Sequence, residues 1–445
     1  MNVALFFTLF TLSYASLTFN LNVYETSNAS LSLNGNSTSL NYFYAEIQIG
    51  SQRHKQSLII DTGSFITAIP CEPYCKKCGG HMNKRYNISQ SNKSKVVRCD
   101  NNNTITQCTN ELKGKCNENK ECGFINAYGE GSSISGIFFN DSIYINNTNS
   151  VEITLGCIKN ENKLFLHQLA DGIIGLSPSD MSFMNLLFKS KGITYNTFSL
   201  CLNNINKGTI SFGDEIKVEG NSIIPFYGTD FYRININDII IEKDIMKVDS
   251  MGIIDSGTTL TYLPKKLFNR LYMYITSFCS SIDKCLGDDY INKDRGICYI
   301  PKHHVTYKQF IESFPVIDFT LEGNTTFQWY PNNYMIRNYN NKKAIEFCIS
   351  INSWNQNEIL LGTGWMHNNK FSFDLEKRAI VFHRSNCGIN EDSMLSESYI
   401  IEDEYFENLD KRINQKVYIM VIAFIIFCII FSFIKMNKKE DIKNN

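Results

Sequence analysis

A chain of 445 residues with 43% hydrophobic and 20% charged residues can build two core-bearing units and is too apolar for a disordered polyelectrolyte. Its 43 basic and 44 acidic residues leave a net charge of −1, which excludes the basic field that gathers nucleic acid. Fifteen cysteines exclude a reducing cytosol unless they bind metal.

The chain opens on an apolar run at residues 4–12, with small Ser13 and Ala15 where a signal peptidase reads, so residues 1–15 are expected to be a signal peptide. Residues 16–41 read as a short pro-segment or N-terminal extension. Tyr42–Ile49 alternates in polarity and is expected to be a strand, as are Tyr232–Ile240 and part of Phe371–Val381. Helical candidates are short, at Met181–Phe188 and Lys266–Cys279. An acid-rich stretch at 391–416 reads as a stalk. Val417–Ile434 then gives 18 residues without a charge, about 27 Å of helix and the minimum for a hydrocarbon core. So short a span suits a thin early-secretory bilayer. Lys435, Lys438 and Lys439 fit a cytoplasmic tail at 435–445, but Lys411, Arg412 and Lys416 on the other flank blunt that signal. Orientation therefore rests on the signal peptide, giving a single-pass type I protein with a luminal body.

Cysteine parity supports the lumen. Cys428 lies in the apolar span, leaving fourteen. Seven of these, Cys71, Cys75, Cys78, Cys99, Cys108, Cys116 and Cys122, form a cysteine-rich insert at 71–122. Both this group and the remainder are odd, so full pairing requires at least one disulfide from the insert to the rest. Zinc at Cys71, Cys75 and Cys78 is the alternative, though an oxidising lumen favours disulfides. Eight Asn-x-Ser/Thr sites, at Asn28, Asn36, Asn87, Asn92, Asn102, Asn140, Asn146 and Asn324, are compatible with a glycoprotein.

The middle of the chain repeats. Ile59 through Pro70 aligns without a gap on Ile253 through Pro264, with six of twelve positions identical and Asp61-Thr62-Gly63-Ser64 opposite Asp255-Ser256-Gly257-Thr258. Each is followed by a hydrophobic-Gly echo, Ile173-Ile174-Gly175 and Leu360-Leu361-Gly362. The spacing makes each repeat domain-sized, with lobes at 42–225 and 226–390. Two facing carboxylates can share one proton, because like charges about 3 Å apart cannot both ionise, and can then act as acid and base on one water. Gly63 and Gly257 permit close approach of the loops. Thr62 and Ser256 can bond across to the opposite loop, while Ser64 and Thr258 can support the outer carboxylate oxygens. The expected chemistry is hydrolysis without metal, cofactor or covalent intermediate.

These residues resemble the pepsin-like aspartic proteases over roughly 42–390. The resemblance implies a mostly β, bilobal fold, catalytic Asp61 and Asp255, polypeptide substrates, and a flap tyrosine at Tyr128. A narrower likeness lies in Pro70-Cys71, Cys75-Lys76-Lys77-Cys78-Gly79-Gly80-His81-Met82, small Ala68, and Leu164-Phe165-Leu166-His167-Gln168. These resemble the plasmepsin V-type membrane-anchored proteases of apicomplexan parasites. That group implies an endoplasmic reticulum membrane (or Golgi membrane) location, substrates cut after an Arg-x-Leu-like motif, and a polar position at Gln168 that helps to recognise the Arg, while Glu130, two residues beyond Tyr128 at the cleft, is expected to pair with it through its carboxylate. Gly129 and Lys163 depart from the group at two cysteine positions. The pepsin-like likeness also implies a Cys298–Cys348 bridge. The alternatives are a general degradative membrane-bound protease and a catalytically idle receptor on the same scaffold. Intact Asp61 and Asp255 speak against the latter. No G-x-S-x-G or H-E-x-x-H motif supports another hydrolase class.

Overall fold

The computed structural model describes residues 17–24, 42–144, 150–203, 207–217, 223–280, 284–292, 296–302, 305–340 and 343–387. The expected signal peptide, stalk, membrane span and tail lie outside the described residues, among which no helix is long and apolar enough to cross a membrane. Strands dominate. They form a 16-stranded, a 7-stranded and a 4-stranded sheet.

Alternating polarity places the strands much as expected. Tyr42–Ile49 buries Phe43, Ala45, Ile47 and Ile49 on one face and pairs antiparallel with His54–Asp61. Arg233–Ile241 does the same in the second half against Asp244–Ile254. The two expected helices form at Phe183–Lys189, capped by the Ser182 hydroxyl on the Asn185 N–H, and at Lys265–Cys279, which buries Leu267, Leu271 and Ile275. Leu17–Tyr24, read from sequence as part of an extension, is a strand between Lys207–Phe212 and Tyr42–Ile49.

The repeats build matching substructures. In the first, Gly172–Gly175 runs parallel to the end of His54–Asp61, and the Leu176 N–H donates to the Asp61 carbonyl at 2.8 Å. In the second, Ile359–Leu361 runs parallel to Gly252–Ile254, and the Asp255 N–H donates to the Leu361 carbonyl at 3.0 Å. Each echo strand is thus threaded beside an aspartate-bearing loop. Its glycine has a steric cause: a Cβ at Gly175 would lie 2.5 Å from the Ile66 nitrogen, and one at Gly362 2.3 Å from the Leu260 oxygen.

The halves are joined by more than their linker. Asn369–Asp374 pairs antiparallel with Thr197–Leu202, which brings strands from the C-terminal half into the large sheet. Phe198 and Phe373 stack there at 4.5 Å, and the Tyr232 hydroxyl donates to the Leu176 carbonyl at 2.6 Å. The Cys201–Cys387 disulfide closes the seam across 186 residues of chain.

All fourteen described cysteines are paired. Cys71–Cys157 is the bridge from the insert to the remainder that parity required. Cys75–Cys78, Cys99–Cys116 and Cys108–Cys122 stay within the insert. Cys279–Cys285 and the expected Cys298–Cys348 complete the set. Cys71, Cys75 and Cys78 therefore offer no free thiolates to zinc.

Candidate active site

The two aspartate loops meet at the seam in a closed set of buried hydrogen bonds. The Thr62 hydroxyl donates to the Ile254 carbonyl at 2.9 Å and accepts from the Ser256 N–H at 2.9 Å. The Ser256 hydroxyl donates to the Ile60 carbonyl at 2.8 Å and accepts from the Thr62 N–H at 3.0 Å. Each hydroxyl thus donates once and accepts once across the seam. Gly63 and Gly257 each lie against the opposing aspartate. A Cβ at Gly63 would be 2.6 Å from Asp255 Oδ1, and one at Gly257 2.4 Å from Asp61 Oδ1.

The carboxyl groups lie side by side, since the same Cβ position at Gly257 is 2.4 Å from Asp61 Oδ1 and 3.2 Å from Asp255 Oδ1. Burial first, and the neighbouring charge of Asp255 second, push the Asp61 carboxyl well above the usual carboxylate range. Ser64 and the Gly63 N–H act in the opposite direction without reversing it. The Gly257 N–H at 2.8 Å and the Thr258 hydroxyl at 2.6 Å both donate to Asp255, whereas Asp61 has the Gly63 N–H at 2.8 Å. The surroundings therefore favour a single proton shared by the pair. A protonated and an ionised carboxyl side by side can give and take a proton in one step.

Over this pair hangs the hairpin of Cys122–Ala127 and Ser133–Tyr144. Its tip turns tightly, with the Tyr128 N–H on the Ser132 carbonyl and the Gly131 N–H on the Tyr128 carbonyl, both at 2.9 Å. Gly131 takes φ +88°, a left-handed conformation that favours glycine. Burial, then the Asp61 charge, raise the Tyr128 hydroxyl far above its ordinary value. Tyr128 Oη and Ser64 Oγ are both buried, and neither closes a hydrogen bond of good geometry.

Glu130 is exposed at the hairpin tip and accepts from the Ser132 hydroxyl. Its charge reaches Tyr262 in the opposite half, where burial and then Glu130 raise the phenol. Gln168 is placed differently. It is buried, its amide donates to the Ala170 carbonyl at 3.4 Å, and no hydrogen bond joins it to Glu130. The two residues expected to read one substrate side chain are therefore not linked directly.

Phe165 was missed by the residue-level reading. Its ring lies 4.9 Å from that of Tyr128 and packs with Ala68 and Phe124 in a small apolar cluster under the hairpin. Small Ala68 leaves this side of Tyr128 to Phe165. Tyr262 and Trp354, 5.9 Å apart, form an aromatic pair in the other half. Nothing in local sequence pattern marks either contact, since each joins residues distant along the chain.

A bilobal β fold with one aspartate loop from each half, clasped through Thr62 and Ser256 beneath a tyrosine-bearing hairpin, is the architecture of one class of hydrolase. Family models described as xylanase inhibitor N-terminal and xylanase inhibitor C-terminal match residues 43–214 and 231–384. The chain belongs to the pepsin-like aspartic proteases. It is similar to plasmepsin V of Plasmodium falciparum (isolate 3D7), 27% identical over 448 residues that cover 78% of this chain and 72% of that one. It is also similar to Aspartic proteinase 36 of Arabidopsis thaliana, 27% identical over 395 residues covering 81% and 77%. Aspartic proteinase-like protein 1 of the same plant is 26% identical over 380 residues covering 77% and 67%.

Proposed function

We propose that this protease is an endopeptidase of the early secretory pathway, anchored by residues 417–434 with lobes 42–225 and 226–390 in the lumen, that processes exported proteins after an Arg-x-Leu-like motif. The observation that carries the catalytic part is the reciprocal Thr62–Ser256 clasp, which holds Asp61 and Asp255 against each other. A water bound between the carboxyls gives a proton to Asp255 as its oxygen attacks the scissile carbonyl. Asp61 gives its own proton to the carbonyl oxygen, so a neutral tetrahedral diol forms. On collapse the amine leaves with the proton held by Asp255, and the diol proton returns to Asp61, restoring the starting state. Tyr128 covers the site and Ser64 supports the Asp61 side.

The motif preference rests on Glu130, exposed at the hairpin tip. An arginine lying under the hairpin would pair with that carboxylate bidentately, which lysine cannot reproduce. Measurement of kcat/KM for paired peptides with Arg or Ala three residues before the cut, in wild type and Glu130→Gln, tests it. The Arg preference is expected to fall by about fivefold, the value of an exposed ion pair partly covered by substrate. An unchanged ratio removes Glu130 as the reader.

His367 speaks against a general degradative role in an acidic compartment. It is half-buried, and desolvation lowers its pKa to about 4, so acid works against the folded state.

A further inference from the structure

The segment from Glu161 to Ala170 carries Phe165, and so the packing partner of the flap tyrosine. It is fastened at several points. Asn162 exchanges hydrogen bonds with Ser133, next to the hairpin tip, at 2.6 and 2.8 Å through its side chain. On the opposite side it meets Gly79–Met82 of the cysteine-rich insert. The Gly79 N–H donates to Glu161 Oε2 at 2.8 Å, and the Met82 N–H donates to the Leu169 carbonyl at 2.8 Å. Gly79 packs so tightly that a Cβ there would lie 2.3 Å from the Leu166 oxygen.

His81 sits at the centre of this contact, its side chain 2% exposed. Nδ1 is 3.2 Å from the Gln168 carbonyl oxygen, and Nε2 is 3.1 Å from Glu161 Oε2. A carbonyl oxygen only accepts. Glu161 Oε2 already accepts from the Gly79 N–H, so it too serves as an acceptor. Both ring nitrogens must then donate, which only the imidazolium does. We propose that His81 is a positioning residue for the flap: as an imidazolium it bolts the Glu161–Ala170 segment to the insert and thereby sets Phe165 and Tyr128 over the dyad. Loss of its proton breaks one of the two bonds and frees that segment to shift.

The charges facing His81 suit this role. Glu161 and Asp171 supply negative charge from the strand before the segment and from the residue after it. His54, Glu72, Lys84 and Arg85 share with His81 the lining of a cavity of about 520 Å³. Lys163 points away, its Nζ lying 2.5 Å from where a Cβ on Gly131 would stand. Burial disfavours the charged ring, but the hydrogen bond and charge of Glu161, the Gln168 carbonyl and Asp171 outweigh it and hold His81 above its ordinary value.

The test rests on the protease reading and is arranged to separate the two. In full-length Asp61→Asn, which binds without cutting and no longer has a coupled dyad, the Kd of an end-blocked fluorescent peptide containing Arg-x-Leu is measured from pH 6 to 9. It is expected to weaken about tenfold as His81 deprotonates, the worth of one hydrogen bond to a charged group. Adding His81→Gln, which cannot ionise, is expected to abolish that pH dependence. The same dependence with and without His81 overturns the proposal. If the peptide binds neither protein, the substrate reading fails, and histidine and tyrosine NMR on the wild type then decides for His81. A Tyr128 signal that titrates with the His81 ring, at a midpoint above 6.5, supports the positioning role. A Tyr128 signal indifferent to that titration overturns it.

Discussion

Thr62→Val removes one hydroxyl and nothing else of consequence in volume. Thr62 is 0% exposed and Ser256 1%, so water cannot take over the lost bonds. The Ile254 carbonyl loses its 2.9 Å donor and the Ser256 N–H loses its 2.9 Å acceptor. Leaving a buried polar group unpaired costs about 1–3 kcal/mol, so the pair costs roughly 2–6 kcal/mol. The activity should fall further than stability alone explains, because the same bonds set the separation of the carboxyls. A misplacement of about 1 Å costs on the order of 100-fold in rate. Urea midpoints by circular dichroism and kcat on one peptide, compared across Thr62→Val, Thr62→Ser and wild type, measure both effects. Thr62→Ser keeps the hydroxyl and should resemble wild type. Ser256→Ala should cost a similar amount, and the double variant less than the sum, since both pairs of bonds depend on the same approach of the loops. A Thr62→Val protein with the midpoint and kcat of Thr62→Ser would show that the cross-seam bonds do not hold the dyad.

His367, whose Nδ1–H donates to the Asn333 carbonyl at 3.3 Å, is held neutral with its pKa lowered to about 4. The unfolded chain binds this proton near pH 6.5, so the contribution is complete above that value and is lost as pH falls toward about 4, roughly 3 kcal/mol in all. The raised Asp61 carboxyl acts in the opposite direction, so the difference between wild type and His367→Asn in urea midpoints at pH 4.5 and 7.5 isolates the histidine; equal differences at the two pH values would remove it as the acid-sensitive group. Gly257→Ala would place a Cβ 2.4 Å from Asp61 Oδ1 and should abolish peptide cleavage, whereas a Cβ at Gly129 meets nothing within 4 Å and Gly129→Ala should cleave at near the wild-type rate.

What could be read from sequence was whatever chemistry restricts to a few residue types. The paired Asp-x-Gly loops were legible because a shared proton needs two carboxyls, close approach needs Gly63 and Gly257, and the clasp needs hydroxyls at Thr62 and Ser256. Parity required a disulfide out of the insert but not its partner, since Cys157 is 86 residues from Cys71 and only the parallel pairing of their strands brings them together. Leu17–Tyr24 alternates as a strand should, yet its partner comes from Lys207–Phe212, which no local pattern announces. Phe165 against Tyr128 and His81 against Glu161 are likewise tertiary contacts. Gln168 shows the reverse case, a residue singled out by resemblance whose side chain turns to its own backbone.

The dyad itself is tested most directly by replacing each aspartate alone. Asp61→Asn and Asp255→Asn should each fold with a thermal midpoint close to wild type and each cleave an Arg-x-Leu peptide on the order of 1,000-fold more slowly or worse, since acid and base act on one water. Retention of near wild-type cleavage by either variant would contradict a mechanism in which Asp61 and Asp255 share a proton.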